Sequence, residues 1–83
     1  MINPIKSEKI EGTRILTEYN STNIESSEYD TTTSDLLIKF KAGKSYVYEK
    51  VPYPLFTKMR LSESIGKFLN REISRAYRYK EVK

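Results

Sequence analysis

The chain has 83 residues, which leaves room for one domain with a thin core, because a fold of this size buries only about 60% of the surface its unfolded chain exposes. It carries a net charge of +4, is 37% hydrophobic and 31% charged, and has neither cysteine nor histidine. That composition removes a disulfide framework, thiolate chemistry, the usual general base and the common ligands of zinc, haem and iron–sulfur centres, so no metal or cofactor is expected.

Residues 1–12 are polar and unpatterned, with Pro4 early, and read as a flexible lead-in to a single domain over residues 13–83. Thr13 to Tyr19 reads as a short strand, although the adjacency of Ile15 and Leu16 blurs its period. Asn20-Ser21-Thr22-Asn23 is turn chemistry, short polar side chains that bond their own backbone. Ile24 to Asp30 reads as a second strand. Its Ile24 and Tyr29 are five apart and so fall on opposite faces unless a bulge intervenes.

The clearest signal follows. Leu36, Ile38 and Phe40 alternate with Leu37, Lys39 and Lys41, a period of two that places three large apolar side chains on one face of a strand. Ala42-Gly43-Lys44 makes a turn. A second alternating run sets Tyr46 and Tyr48 against Val47, Glu49 and Val51. A lone hairpin is marginal in water, so other elements must cover its apolar face.

Pro52 and Pro54 end the sheet, since proline cannot donate to a ladder, and Pro54 suits the first position of a helix with Leu55, Phe56 and Met59 on one stripe. A second helix is predicted over Ser64 to Tyr77. Its apolar side holds Ile65, Phe68, Leu69, Ile73 and Ala76, while Lys67, Arg71, Arg75 and Arg78 recur at i, i+4, i+8 and i+11 as a cationic stripe. Tyr77 to Lys80 closes the chain in an extended form. The expected fold is α+β: a three-stranded antiparallel meander followed by two short helices packed on one face.

Several short segments, taken in order from about Asn20 to Tyr79, resemble the KTSC domain, a small domain named for its occurrence at the C-terminus of some lysyl-tRNA synthetases. Ser21 to Ile24 precedes Tyr29-Asp30, Phe40 to Lys44 leads into Tyr46-Val47-Tyr48, and Val51-Pro52 follows. Ser64 to Asn70 matches a serine–glycine–lysine–aromatic–asparagine segment, and Tyr77 and Tyr79 match the aromatic end. The resemblance implies a small α+β domain of unsettled function for which RNA binding has been suggested. The chain departs from the family pattern in its first twenty or so residues and at Ser27, where the first strand usually carries an apolar residue.

Charge is unevenly placed: residues 1–53 balance at −1 and residues 54–83 at +5, which points to a basic surface built by the C-terminal third. Lys67, Arg71, Arg75 and Arg78 are the candidates for gripping successive phosphates, with Lys39, Lys41 and Lys44 as an extension of the patch or as guards of a sheet edge. Tyr46 and Tyr48, joined by Tyr79, are candidates for stacking bases, against the simpler reading that their rings cover the sheet beneath the helices. Glu25, Glu28 and Asp30 lie close in sequence, but a strand splits them across faces, and no metal is expected there. An RNA-cleaving pair of Tyr48 with Arg71 or Arg75 is the one catalytic arrangement the residue types allow; nothing in the spacing brings it to a pocket, and the chain is expected not to be an enzyme. No apolar run approaches the length of a membrane span and no apolar signal core follows Met1, so a cytoplasmic location without a membrane partner is expected. Two readings stay open: a module that binds RNA or another polyanion, and a small phage or mobile-element protein that binds a host protein.

Overall fold

The buried apolar side chains of four successive strands point to the same side of one sheet, and that shared face determines where the helices lie. The computed structural model describes residues 5–82 and is α+β. Six strands pair antiparallel in sequence order: β1 (Ile5–Glu11), β2 (Arg14–Tyr19), β3 (Ile24–Asp30), β4 (Leu36–Phe40), β5 (Ser45–Tyr48) and β6 (Tyr79–Val82). Between β5 and β6 the chain crosses the sheet as α1 (Tyr53–Arg60) and α2 (Ile65–Phe68), and α2 runs straight into one π-helical stretch, Leu69–Ile73. Three more strands are present than the meander read from the sequence.

The covered face carries Ile15 and Tyr19 of β2, Ile24 and Tyr29 of β3, Leu36 and Ile38 of β4 and Tyr48 of β5, all buried. The helices close over them with Phe56, Met59, Ile65, Leu69 and Ile73. Ile24 and Tyr29 reach the same face because the β3–β4 register shifts between Ile24 and Ser26, so a bulge supplies the odd residue their spacing requires. Val51, expected opposite Tyr48, is fully buried with it. The reason is Lys50, whose φ of +56° turns the chain out of β5 and back into the core.

Each end of the described chain adds a strand to the expected meander, one correcting a flexible lead-in and one following the extended end read from the sequence. Ile5–Glu11, inside the segment read as a flexible lead-in, is strand β1; residues 1–4 of that lead-in lie outside the described residues. The strand is almost wholly exposed and polar, so no hydrophobic period announces it. It is held by a ladder to β2 across a two-residue turn in which Gly12 takes φ +61°, and by side-chain bonds. Glu8 Oε2 accepts from Thr17 Oγ1 at 2.7 Å and from Arg60 Nη1 at 2.6 Å, and Ser7 Oγ donates to Glu18 at 2.6 Å. The chain's other end, Tyr79–Val82, pairs with β5 as β6.

The predicted fourteen-residue helix is also revised. Only Ile65–Phe68 is α-helical, capped by the Ser64 hydroxyl, which accepts from Lys67 N–H at 3.4 Å. The chain then widens, and Ser74 N–H reaches back five residues to Leu69 C=O at 2.8 Å. Ala76 lies beyond this stretch and is exposed.

Ser27, the polar departure in β3, is fully buried and satisfied: its hydroxyl lies 2.7 Å from Tyr19 Oη. Burial pushes the Tyr19 phenol up to about 12, with the Ser27 hydrogen bond acting in the opposite direction. A phenol with a raised folded pKa stabilises the fold fully below pH 10 and loses that contribution as pH rises from 10 toward 12. Wild-type stability is therefore expected to fall by roughly 2 kcal/mol more than that of Tyr19→Phe across this interval in urea titrations at stepped pH; parallel curves would remove Tyr19 as the cause.

Tyr29 is the second buried phenol, 1% exposed, and Oη donates to the Val51 carbonyl at 2.6 Å. Tyr29→Phe keeps the ring and leaves that buried carbonyl unpaired. It should cost about 1–3 kcal/mol in denaturant unfolding, and an unchanged midpoint would show the bond to be dispensable.

Candidate nucleic-acid interface

The cationic side chains follow the same four-residue interval as the core side chains of the last helical segment. Ile65, Leu69 and Ile73 point into the core at intervals of four residues, a repeat longer than the 3.6 of an α-helix, and the widened turn absorbs the difference. Lys67, Arg71 and Arg75 follow the same interval, two positions later, and emerge together on the exposed side. With Asn70 they line a groove of about 330 Å³.

A second groove, of about 480 Å³, adjoins the first at Asn70. One wall is the end of the sheet, with Thr22, Asn23, Phe40 and Lys41; the other is Gly66 and Asn70 of the helical segment. The two grooves together present Lys41, Lys67, Arg71 and Arg75, and among the described residues no carboxylate lines either. Among the described residues Lys67 and Arg75 have no ion-pair partner. Arg71 Nε lies 2.9 Å from Glu72 Oε2, and its guanidinium sits 5.8 Å from the Phe68 ring centroid. Both side chains of that pair are largely in solvent, where such a bridge is worth about 0–1 kcal/mol, so it leaves Arg71 free to exchange partners.

The remaining residues singled out in the sequence are distributed differently. Arg78 is exposed but lines neither groove; it precedes β6, where its carbonyl accepts from Glu49 N–H at 2.8 Å. Lys39 faces the outer side of the sheet, away from the helices, and Lys44 stays in the exposed hairpin turn. Tyr48 is 4% exposed, its hydroxyl 3.4 Å from Ser74 Oγ, and burial raises its pKa. Tyr46 is half-buried between Phe40 and Tyr79, with centroids at 5.7 and 5.8 Å and both contacts edge-to-face. Of these three tyrosines only Tyr79 keeps a substantially exposed ring, at 55%. The tyrosines thus cover the end of the sheet and do not form an open platform, and Tyr48 is not among the walls of the groove that holds Arg71 and Arg75. Asn23, Gly66 and Asn70 were not legible as site residues, because the Asn20–Asn23 segment reads locally as a turn and meets the helix only in the fold.

The model of the KTSC domain matches residues 20–79. The chain belongs to the KTSC domain family. A crystal structure of a KTSC domain protein from Yersinia pestis superposes with a TM-score of 0.76 at 25% identity, covering 82% of this chain and 96% of that one. A protein of Tsukamurella paurometabola is 33% identical over 58 residues, which span 70% of this chain and 87% of the relative. The matched KTSC span takes in every groove residue, whereas β1 and the whole of β2 precede it.

The aromatic row makes a checkable distinction between scaffold and surface. Tyr48→Ala should cost about 3–5 kcal/mol, as for a buried aromatic, and Tyr79→Ala about 1 kcal/mol or less, both read by thermal or urea unfolding. Equal, small effects would place Tyr48 on the surface instead.

Proposed function

We propose that this KTSC domain is a non-catalytic module that binds single-stranded nucleic acid, RNA in preference to DNA, by its phosphate backbone. The observation that carries the reading is the run of Lys41, Lys67, Arg71 and Arg75 along two adjoining grooves with no carboxylate among the described residues of their walls. The arginine forks suit bidentate contacts to phosphate oxygens, the lysines act as point charges, and the Asn70 amide adds a neutral donor between them. Contacts of this kind supply affinity and orientation without sequence preference. The buried scaffold argues against cleavage, since Tyr48, the phenol weighed as a base beside Arg71 or Arg75, is enclosed in the core.

Three or four phosphate contacts imply a slope of about −2 to −3 for log K against log salt on a single strand. Arg71→Glu with Arg75→Glu should abolish binding in anisotropy titrations without lowering the melting temperature, because both side chains are exposed. A flat salt response, or equally tight binding of polyglutamate, overturns the reading. A second reading, docking of a protein, has in its favour the uncovered outer face of the sheet, where Leu37 pairs with Val47 and Val82 is 44% exposed. A partner held there would be indifferent both to nuclease and to charge reversal at Arg71 and Arg75.

A further inference from the structure

Gly66 has no structural reason to be glycine. Gly12 and Gly43 occupy left-handed backbone, with φ of +61° and +104°. Gly66 lies inside α2, and a Cβ built on it would meet only the Asn23 side-chain amide, at an ordinary 3.7 Å. Neither backbone strain nor packing demands the missing side chain, and glycine gives up more conformational freedom in a helix than any other residue. What a side chain at this position would do is enter the groove between the helical segment and the end of the sheet.

That groove is equipped on both walls. Asn23 and Asn70 each carry an amide with two donors and an acceptor, and neither side chain is hydrogen bonded within the described residues. Phe40 contributes a half-buried ring, held edge-on by Tyr46 at 5.7 Å. Lys67, Arg71 and Arg75 begin where the groove ends, at the shared Asn70. A pair of amides, an aromatic surface and a neighbouring cluster of cations match the base and the phosphates of a single-stranded segment. A base within a duplex has its pairing edge occupied and its faces stacked, so it fits this arrangement poorly.

We propose that the Asn23–Gly66–Asn70 groove receives one unpaired base of a strand whose phosphates lie on Lys67, Arg71 and Arg75. The inference rests on the backbone-binding reading above and adds to it a selection for unpaired nucleotides. The absent side chain at Gly66 is the entrance.

The test compares three probes against the full chain by fluorescence anisotropy: a short single-stranded oligoribonucleotide, its perfect duplex, and an abasic strand of equal length. The normal strand should bind about tenfold more tightly than the abasic one, as expected when stacking of a base is added to phosphate contacts. Gly66→Ala should raise the melting temperature by a few degrees, showing that the fold tolerates a side chain there. Gly66→Met, which fills the groove, and Asn23→Ala, which removes an exposed amide that lines this groove alone, should each bring the normal strand down to the abasic level while leaving abasic binding and its salt slope unchanged. Should Gly66→Met fail to fold by circular dichroism, Asn23→Ala decides. Equal binding of normal and abasic strands with a steep salt slope overturns the base site and leaves the phosphate groove standing. Gly66→Met and Asn23→Ala binding like wild type overturns it as well. Failure of all three probes to bind removes both readings together.

Discussion

The hydrogen bond from Tyr29 Oη to the Val51 carbonyl is the joint on which the two layers turn. At Val51 the chain leaves the sheet and must enter the helical layer through the interior, where an unpaired backbone group costs about 1–3 kcal/mol. Both polar groups of Val51 are satisfied there: the carbonyl by Tyr29, and the N–H by Ser34 C=O at 2.8 Å. The same Tyr29 ring lies stacked on Phe56, 4.5 Å between centroids and 6° between planes, so one side chain anchors both the crossover and the first helix. The left-handed Lys50 immediately before it is a local strain, of about 1–2 kcal/mol, that this packing sustains. Since α2 and the π-helical stretch follow from where α1 ends, the two grooves inherit their position from this joint.

Core and surface are coupled through the four-residue repeat of the last helical segment. On a regular α-helix Ile65, Leu69 and Ile73 would drift by about 40° per step around the axis, and Lys67, Arg71 and Arg75 would drift with them. Burying the three apolar side chains is worth about 1.5–3 kcal/mol each, far more than the mutual repulsion of exposed cations at i, i+4, about 0.2–0.5 kcal/mol per pair. The core therefore dictates the widened turn, and the cations keep the same interval.

Of the two strands outside the KTSC match, β2 joins the core through Ile15 and Tyr19, and β1 is organised on different terms. β1 contributes little apolar burial. Glu8 ties it to Thr17 and, through Arg60, to α1, where the guanidinium also lies 5.0 Å from the Phe56 ring centroid. β1 pairs with the edge of β2, at the far edge of the sheet from the strands that carry Tyr46, Tyr48 and Tyr79. Stability at that edge comes from polar contacts in partly dry surroundings, which hold the strand without defining a new core.

The hairpin of β4 and β5, the α+β class and a helix starting at Pro52–Pro54 could all be read from the sequence, because period, turn residues and proline act locally, whereas the bulge that puts Ile24 and Tyr29 on one face stood only as an alternative. Strand β1 could not, since its exposed polar residues have no hydrophobic period and are ordered by Thr17 and Arg60, which approach it only after folding. The direction of the tyrosines was open for a related reason. Alternation says that Tyr46 and Tyr48 share a face, but only the placement of the helices decides that the face is covered. The groove joins a β2–β3 turn to a helix more than forty residues later, and the meeting of Asn23 with Gly66 and Asn70 has no local signature at all. Local chemistry settled which residues alternate and where the chain turns; long-range burial alone decided which side chains are left facing water together.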